Sequence, residues 1–214
     1  MPTIHYYAGQ LFVDTLTLMS VATVEQGGPW TLDDWFEMNE RSSGARYELI
    51  NGGLLVSPAP SFSHQWACDR ISRTLGDAAP SEFWCVSGVG VEFLDDGYVA
   101  ALIPDVVAAY RRKPEPRTLR SDSIVIAVEV VSPSSKANDR HLKPSLYAGA
   151  GIPHYWRIEI DSFVGQRTDA LPIVFAYVLK DGGYVLEQRV GAGNLLQISD
   201  PFEISFDPAI LADY

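Results

Sequence analysis

Several protein classes are excluded by what the sequence lacks. Two cysteines, Cys68 and Cys85, occur in 214 residues. With no CxxC pair and no histidine read as a metal partner beside them, they are expected to be buried thiols, not a disulfide or a zinc site. The four histidines, His5, His64, His141 and His154, are scattered and read as polar surface or helix residues. No run of about 18 apolar residues exists, so no transmembrane helix is expected. The first twenty residues lack a basic start and an unbroken apolar core, since Asp14 interrupts them; a cytoplasmic protein follows as the expectation, with Met19 a second candidate start. Internal repeats and low-complexity segments are absent too. Basic residues are scarce: 16 Lys and Arg stand against 27 Asp and Glu, a formal net charge of -11. Taken whole, such a surface repels polyanions and membranes.

What is present is enough apolar material for one real core. Residues 1–28 show no sustained period and read as a loosely attached arm, leaving 29–214 as a single domain. Thr31 and Asp34 form a capping-box pattern ahead of Trp35 and Phe36, which predicts a short helix. YELINGGLLVS, with strand formers on both sides of Asn51-Gly52, predicts a hairpin. A helix is expected from Ser63 to Leu75, strands over 83–91 and 102–109, and a basic, proline-containing loop over 111–120. Residues 124–131, IVIAVEVV, have the composition of a strand buried on both faces. Residues 139–150 look helical, started or kinked by Pro144. HYWRIEI, a second hairpin around Asp181-Gly182-Gly183, and PFEISFD supply later strands. This mixture predicts an α/β fold with a mixed central sheet flanked by helices.

Three carboxylates fall where solvated charge does not belong. Asp105 follows Pro104 at the start of an apolar strand, Glu129 interrupts the most apolar strand, and Glu48 sits inside a hairpin strand. An ionised carboxylate in a low-dielectric interior must be neutralised, paired or bound to a cation. Oxygen donors from neighbouring strands suit a hard divalent ion, most naturally magnesium, with manganese as a substitute. Lys136, Arg140 and Lys143 follow downstream, and either lysine could complete such a site; Ser132 to Ser135 add hydroxyl donors.

The segments ELINGGLLVSPAPSFSHQ, IPDVVAA and VEVVSPSSKANDRHLKPSLYAGAGIPHYW resemble the Uma-type family of bacterial restriction endonuclease-like proteins, within the PD-(D/E)XK nuclease superfamily, over roughly residues 31–210. The resemblance implies a restriction-endonuclease-like core. It places the family's hairpin glutamate on Glu48, its PD aspartate on Asp105, its strand glutamate on Glu129 and its helix lysine on Lys143, with Tyr147 as the helix tyrosine and His64 at a recurrent position, where a structural role is favoured. The superfamily's usual lysine position holds Val131, and Lys143 is the migrated substitute. The expected activity is magnesium-dependent hydrolysis of DNA by Asp105, Glu129, Glu48 and Lys143, the carbonyl of Val130 adding a metal ligand. The rival expectation is a degenerate nuclease fold serving as a nucleic-acid-binding or regulatory module. An RNA or single-stranded target stays open, and a homodimer would suit double-strand cleavage. Charge by region agrees with a local site: residues 105–143 hold 5 acids and 8 bases, whereas 1–104 hold 13 acids and 4 bases and 144–214 hold 9 and 4.

Overall fold

The strand 124–131 is buried at every residue, and the fold is arranged to cover both of its faces. The computed structural model describes residues 28–213 apart from 43, 96–97 and 112–116, together with three short strands near the amino terminus: β1 (His5–Tyr7), β2 (Gln10–Phe12) and β3 (Ala22–Thr23). The rest of the arm expected over 1–28 lies outside the described residues. Helix α1 (Leu32–Arg41) begins at the capping box, with Thr31 Oγ1 accepting from Asp34 N and Asp34 Oδ2 accepting from Thr31 N. Asn51 and Gly52 both take positive φ, 49° and 79°, as a type I′ turn requires, and join β4 (Arg46–Ile50) to β5 (Gly53–Ser57). Helix α2 (Phe62–Ala78) is capped by Ser61.

The two strands expected over 83–91 and 102–109 are four. Gly88, at φ 64°, separates β6 (Phe83–Ser87) from β7 (Gly90–Asp95); Pro104 and Asp105 separate β8 (Tyr98–Leu102) from β9 (Val106–Tyr110). At both breaks the chain changes sheets, a step that apolar patterning does not record. The end of the basic loop forms a further strand, β10 (Thr118–Arg120), parallel to β7. After β11 (Ile124–Val131) a π-helical turn (Asn138–Leu142) leads into α3 (Lys143–Gly149), and then come β12 (His154–Glu159), β13 (Ile173–Lys180), β14 (Gly183–Gly191) and the hairpin β15 (Leu196–Ile198) and β16 (Ile204–Phe206).

Twelve of the strands form two mixed six-stranded sheets, ordered β10-β7-β8-β4-β5-β3 and β14-β13-β12-β11-β9-β6, while β1 with β2 and β15 with β16 form separate pairs. In the second, β11 pairs parallel with β12 and antiparallel with β9. Side chains alternate across β11: Ile126, Val128 and Val130 pack with Ala67, Cys68, Ile71 and Leu75 of α2, whereas Ala127 packs with Phe93 and Leu102 of the first sheet and Tyr147 of α3. Helix α1 lies on the first sheet, where buried Trp35 donates Nε1–H to the Tyr47 carbonyl at 2.6 Å, beside Glu48.

A Cβ added at Gly90 would stand 2.6 Å from Trp35 Cη2 and 3.1 Å from Thr118 Cγ2. Gly90→Ala should therefore destabilise the fold by about 1–3 kcal/mol through overpacking. A lower urea midpoint at unchanged slope checks this.

Candidate active site

Strand alternation and one sheet crossing bring the predicted residues to one cleft of about 250 Å³, lined by Glu48, Asp105, Glu129 and Lys143 together with Arg46, His64, Asp139 and the serines of 57–61 and 132–135. Leu49 packs into the α1 core, so Glu48, on the other face of β4, turns to the cleft, and Arg46 shares its face. Asp105 occupies the crossing from β8 to β9. Glu129 lies on the face of β11 that α3 covers. Lys143 opens α3 and is 6% exposed, whereas Lys136 is exposed and does not line the cleft.

Two networks occupy the cleft. In the first, Asp105 Oδ1 accepts from Arg46 Nη1 at 3.0 Å, and Oδ2 accepts from the Val130 backbone N–H at 2.8 Å and from His64 Nε2 at 3.2 Å. Burial opposes the Asp105 charge, but His64, Lys143 and the Val130 N–H outweigh it and hold the carboxyl below its usual range. Burial also opposes a charged His64; the bond and charge of Asp105, with the Val130 carbonyl accepting from the ring, raise its pKa nonetheless. In the second network, Lys143 Nζ lies 3.1 Å from Glu48 Oε1 and 3.0 Å from Glu129, while Tyr147 OH donates to Glu129 Oε1 and Ile103 N–H donates to Glu48 Oε1 at 2.9 Å.

Four features were missed in the sequence, the last of them Arg46. His154 is buried in β12 and is neither a surface nor a helix residue, whereas His64 does lie on helix α2 but is buried there. His64 also precedes Cys68 by one helical turn, with its Nδ1 3.6 Å from Sγ, so Cys68 does have a histidine neighbour. Among the described residues, His64, Cys68 and Asp105 are the one His/Cys/carboxylate trio whose donor atoms all lie within 4.8 Å. They do not form a single ligand set, because the thiol meets Nδ1 and the carboxylate meets Nε2, on opposite sides of one ring. Burial also raises the Cys68 pKa far from a thiolate.

The third is Asp139. Its backbone position follows from Pro144, which has no N–H to continue an α-helical ladder. The turn widens so that Lys143 N–H reaches the Asn138 carbonyl, and the Asp139 carbonyl, freed from that bond, accepts from Tyr155 OH. The Asp139 side chain is 1% exposed and neither oxygen accepts a hydrogen bond of proper geometry; Lys143 Nζ is 3.6 Å from Oδ1. Ser135 eases its charge slightly, but the serine hydroxyl is already shared with Ser132 at 2.9 Å. The signal for Asp139 was its i,i+4 spacing to Lys143, and for Arg46 its i,i+2 spacing to Glu48.

Four buried or nearly buried carboxylates therefore face two permanent cations, Lys143 and Arg46. Burial pushes the Glu129 carboxyl well above its usual range, with Asp139, Asp105 and Glu48 adding to the effect against Lys143. Asp139 is pushed up to about 7, chiefly by burial. The set is rich in carboxylate oxygen, the donor that a hard divalent cation takes: Glu48 and Glu129 hold the Lys143 ammonium between them, and Asp139 has only the longer contact to that same ammonium.

A family model described as "Putative restriction endonuclease", Uma2, matches residues 32–211. A crystal structure described as a "putative nuclease belonging to DUF820" from Anabaena variabilis superposes with a TM-score of 0.60 at 15% identity, covering 86% of this chain and 97% of that one, which supports the shared fold. No curated protein matches.

The raised Asp139 pKa has a stability consequence. Between about 4 and 7 the folded protein keeps a proton on Asp139 that the unfolded chain has released, so stability falls as pH rises through that window. In EDTA, urea unfolding should give a lower stability at pH 8 than at pH 5, and Asp139→Asn should reduce that difference, leaving the parts due to Glu129 and His64.

Proposed function

This chain belongs to the Uma2 family, and from that premise we propose that it is a divalent-cation-dependent endonuclease that hydrolyses DNA phosphodiester bonds. The observation that carries the reading is the charge imbalance of the cleft: once ionised, its four carboxylates outnumber the permanent cations Lys143 and Arg46 together with a protonated His64, and a divalent ion would supply the positive charge that lets them ionise. A cluster of this kind costs stability, and its place in a cleft argues for function.

Asp105 and Glu129, with Glu48 and the Val130 carbonyl, would hold magnesium or manganese. The cation would supply Lewis acidity toward a phosphoryl oxygen and acidify an adjacent water. The chain's own residues supply the rest. Arg46 and the Val130 N–H fix the Asp105 carboxylate, and His64 holds its second oxygen from the side of α2. Lys143 brings an ammonium to the negative charge that builds on the phosphorus oxygens in the transition state. Ser132, Ser134 and Ser135, linked by hydroxyl contacts of 2.9–3.0 Å, and Ser57 and Ser61, which also line the cleft, offer donors that orient the phosphodiester.

Asp105, Glu129, Asp139 and Lys143 of the site lie in the basic stretch 105–143 of an otherwise acidic chain. Binding should have a small footprint, depend on the cation and weaken with salt. The reading also takes 29–214 as one nuclease domain behind an arm over 1–28, acting in the cytoplasm and pairing as a homodimer for double-strand cleavage. Among the described residues, no helix is long and apolar enough to cross a membrane.

On supercoiled plasmid with magnesium or manganese, Asp105→Ala and Glu129→Ala should each lower nicking by about 100-fold or more, and EDTA should abolish wild-type nicking. Undiminished cleavage by either folded variant would overturn the assignment.

A further inference from the structure

The ammonium of Lys143 stands where Glu48 and Glu129 would offer a cation their oxygens. Nζ is within hydrogen-bond distance of Glu48, at 3.1 Å, and of Glu129, at 3.0 Å. Glu48, Glu129 and Asp139 surround it, yet their oxygens do not all lie within 4.8 Å of one another; they are spread around the ammonium too widely to coordinate one ion as they stand. A divalent ion that draws on Glu48 and Glu129 must therefore displace Lys143. A buried ammonium left without a partner is strongly unfavourable, and that penalty would weaken binding of the ion.

Asp139 answers that difficulty. It lies one helical turn before Lys143, lines the same cleft, is 1% exposed and has two oxygens that accept no hydrogen bond. Its Oδ1 is already 3.6 Å from Nζ, so a shift on the order of 1 Å brings the pair to charge-assisted hydrogen-bond distance. The flexible four-carbon stem of lysine permits such a shift without moving α3. The backbone of Asp139 is held in place meanwhile by Tyr155 OH on its carbonyl.

We propose that Asp139 is a positioning residue that receives the Lys143 ammonium when a divalent cation takes its place at Glu48 and Glu129. The inference rests on the divalent-cation reading given above. It makes the lysine a built-in occupant of the site that the cation would take and Asp139 its second berth. Once moved, the ammonium stays in the cleft with a counter-ion, at the edge of the cation site and not in competition with it.

Calorimetric titration of the full chain with Mn2+ alone tests this through four proteins: wild type, Asp139→Asn, Lys143→Met and the double variant. Thermal unfolding in EDTA checks that each is folded, and Asp139→Ser takes the place of Asp139→Asn if the amide disturbs the turn. Asp139→Asn should bind Mn2+ about tenfold or more weakly than wild type. Lys143→Met should bind more tightly than wild type, and the double variant should match Lys143→Met, because without an ammonium to rehouse Asp139 has no part in binding. Asp139→Glu, which keeps a carboxylate, should recover affinity. If Asp139→Asn binds like wild type, the inference is wrong. If its loss persists in the Lys143→Met background, Asp139 is itself a cation ligand and the positioning role is wrong. If wild type binds no Mn2+, the divalent-cation reading fails first and this inference fails with it.

Discussion

The hydrogen bond from the Val130 backbone N–H to Asp105 decides where everything else in the cleft must stand. Pairing between β11 and β9 ends at Val128 opposite Val106, so the next outward donor on that side of β11 is the N–H of Val130, buried and beyond the last strand partner. A buried backbone donor has to be satisfied. The residue able to do so is Asp105, at the point where the chain leaves the first sheet for the second; its own carbonyl accepts from Gly88 N–H at 3.1 Å, tying the two crossings together. The bond fixes an anion in the interior, and that anion recruits Arg46 from β4 and His64 from α2. One unpaired peptide group thus brings two sheets and a helix to the same carboxylate.

A single buried anion with three donors is a structural feature that many folds would tolerate. Four acids are another matter. Glu48 and Glu129 share one ammonium, and Asp139 has only its longer contact to that same group. Apolar residues of similar size would hold these elements together at no greater cost, since buried ion pairs rarely add net stability. The cluster departs from the local consistency seen in the rest of the core, and such departures are where function is to be sought. The charge deficit and the family membership point the same way from independent starting points.

Much of this was legible in the sequence, for reasons that differ by element. The capping box at Thr31, the Asn51-Gly52 turn and the apolar run of β11 are local signals, and each element formed where its chemistry required. The sheet changes at Gly88 and Pro104 were not legible, because patterning reports which residues are buried and not which sheet buries them. The α/β class held, although twelve of its strands are divided between two six-stranded sheets. Of the site, Glu48, Asp105 and Glu129 stood out as charges in apolar strands. Asp139 did not, since an aspartate in a helix with basic neighbours reads as solvated; its burial depends on a widened turn that Pro144 imposes and Tyr155 anchors. Arg46 and His64 likewise acquire their meaning only from Asp105, 59 residues after the one and 41 after the other.

Val131 shows why the position of the lysine in sequence matters less than its position in space. Two residues beyond Glu129, it lies on the same face of β11 and is 4% exposed. Helix α3 crosses that face, and Tyr147 already reaches Glu129 from it. A side chain on the same helix one turn earlier has the same reach, and Lys143 uses it to place Nζ 3.0 Å from the carboxylate. A lysine carried by the strand would have its stem fixed beside the carboxylate it serves. One carried by the helix, with an aspartate at i−4, has two carboxylates at the strands and one on its own element to choose among. The valine in the strand therefore removes no cation from the cleft; it transfers the cation to a support from which it can move.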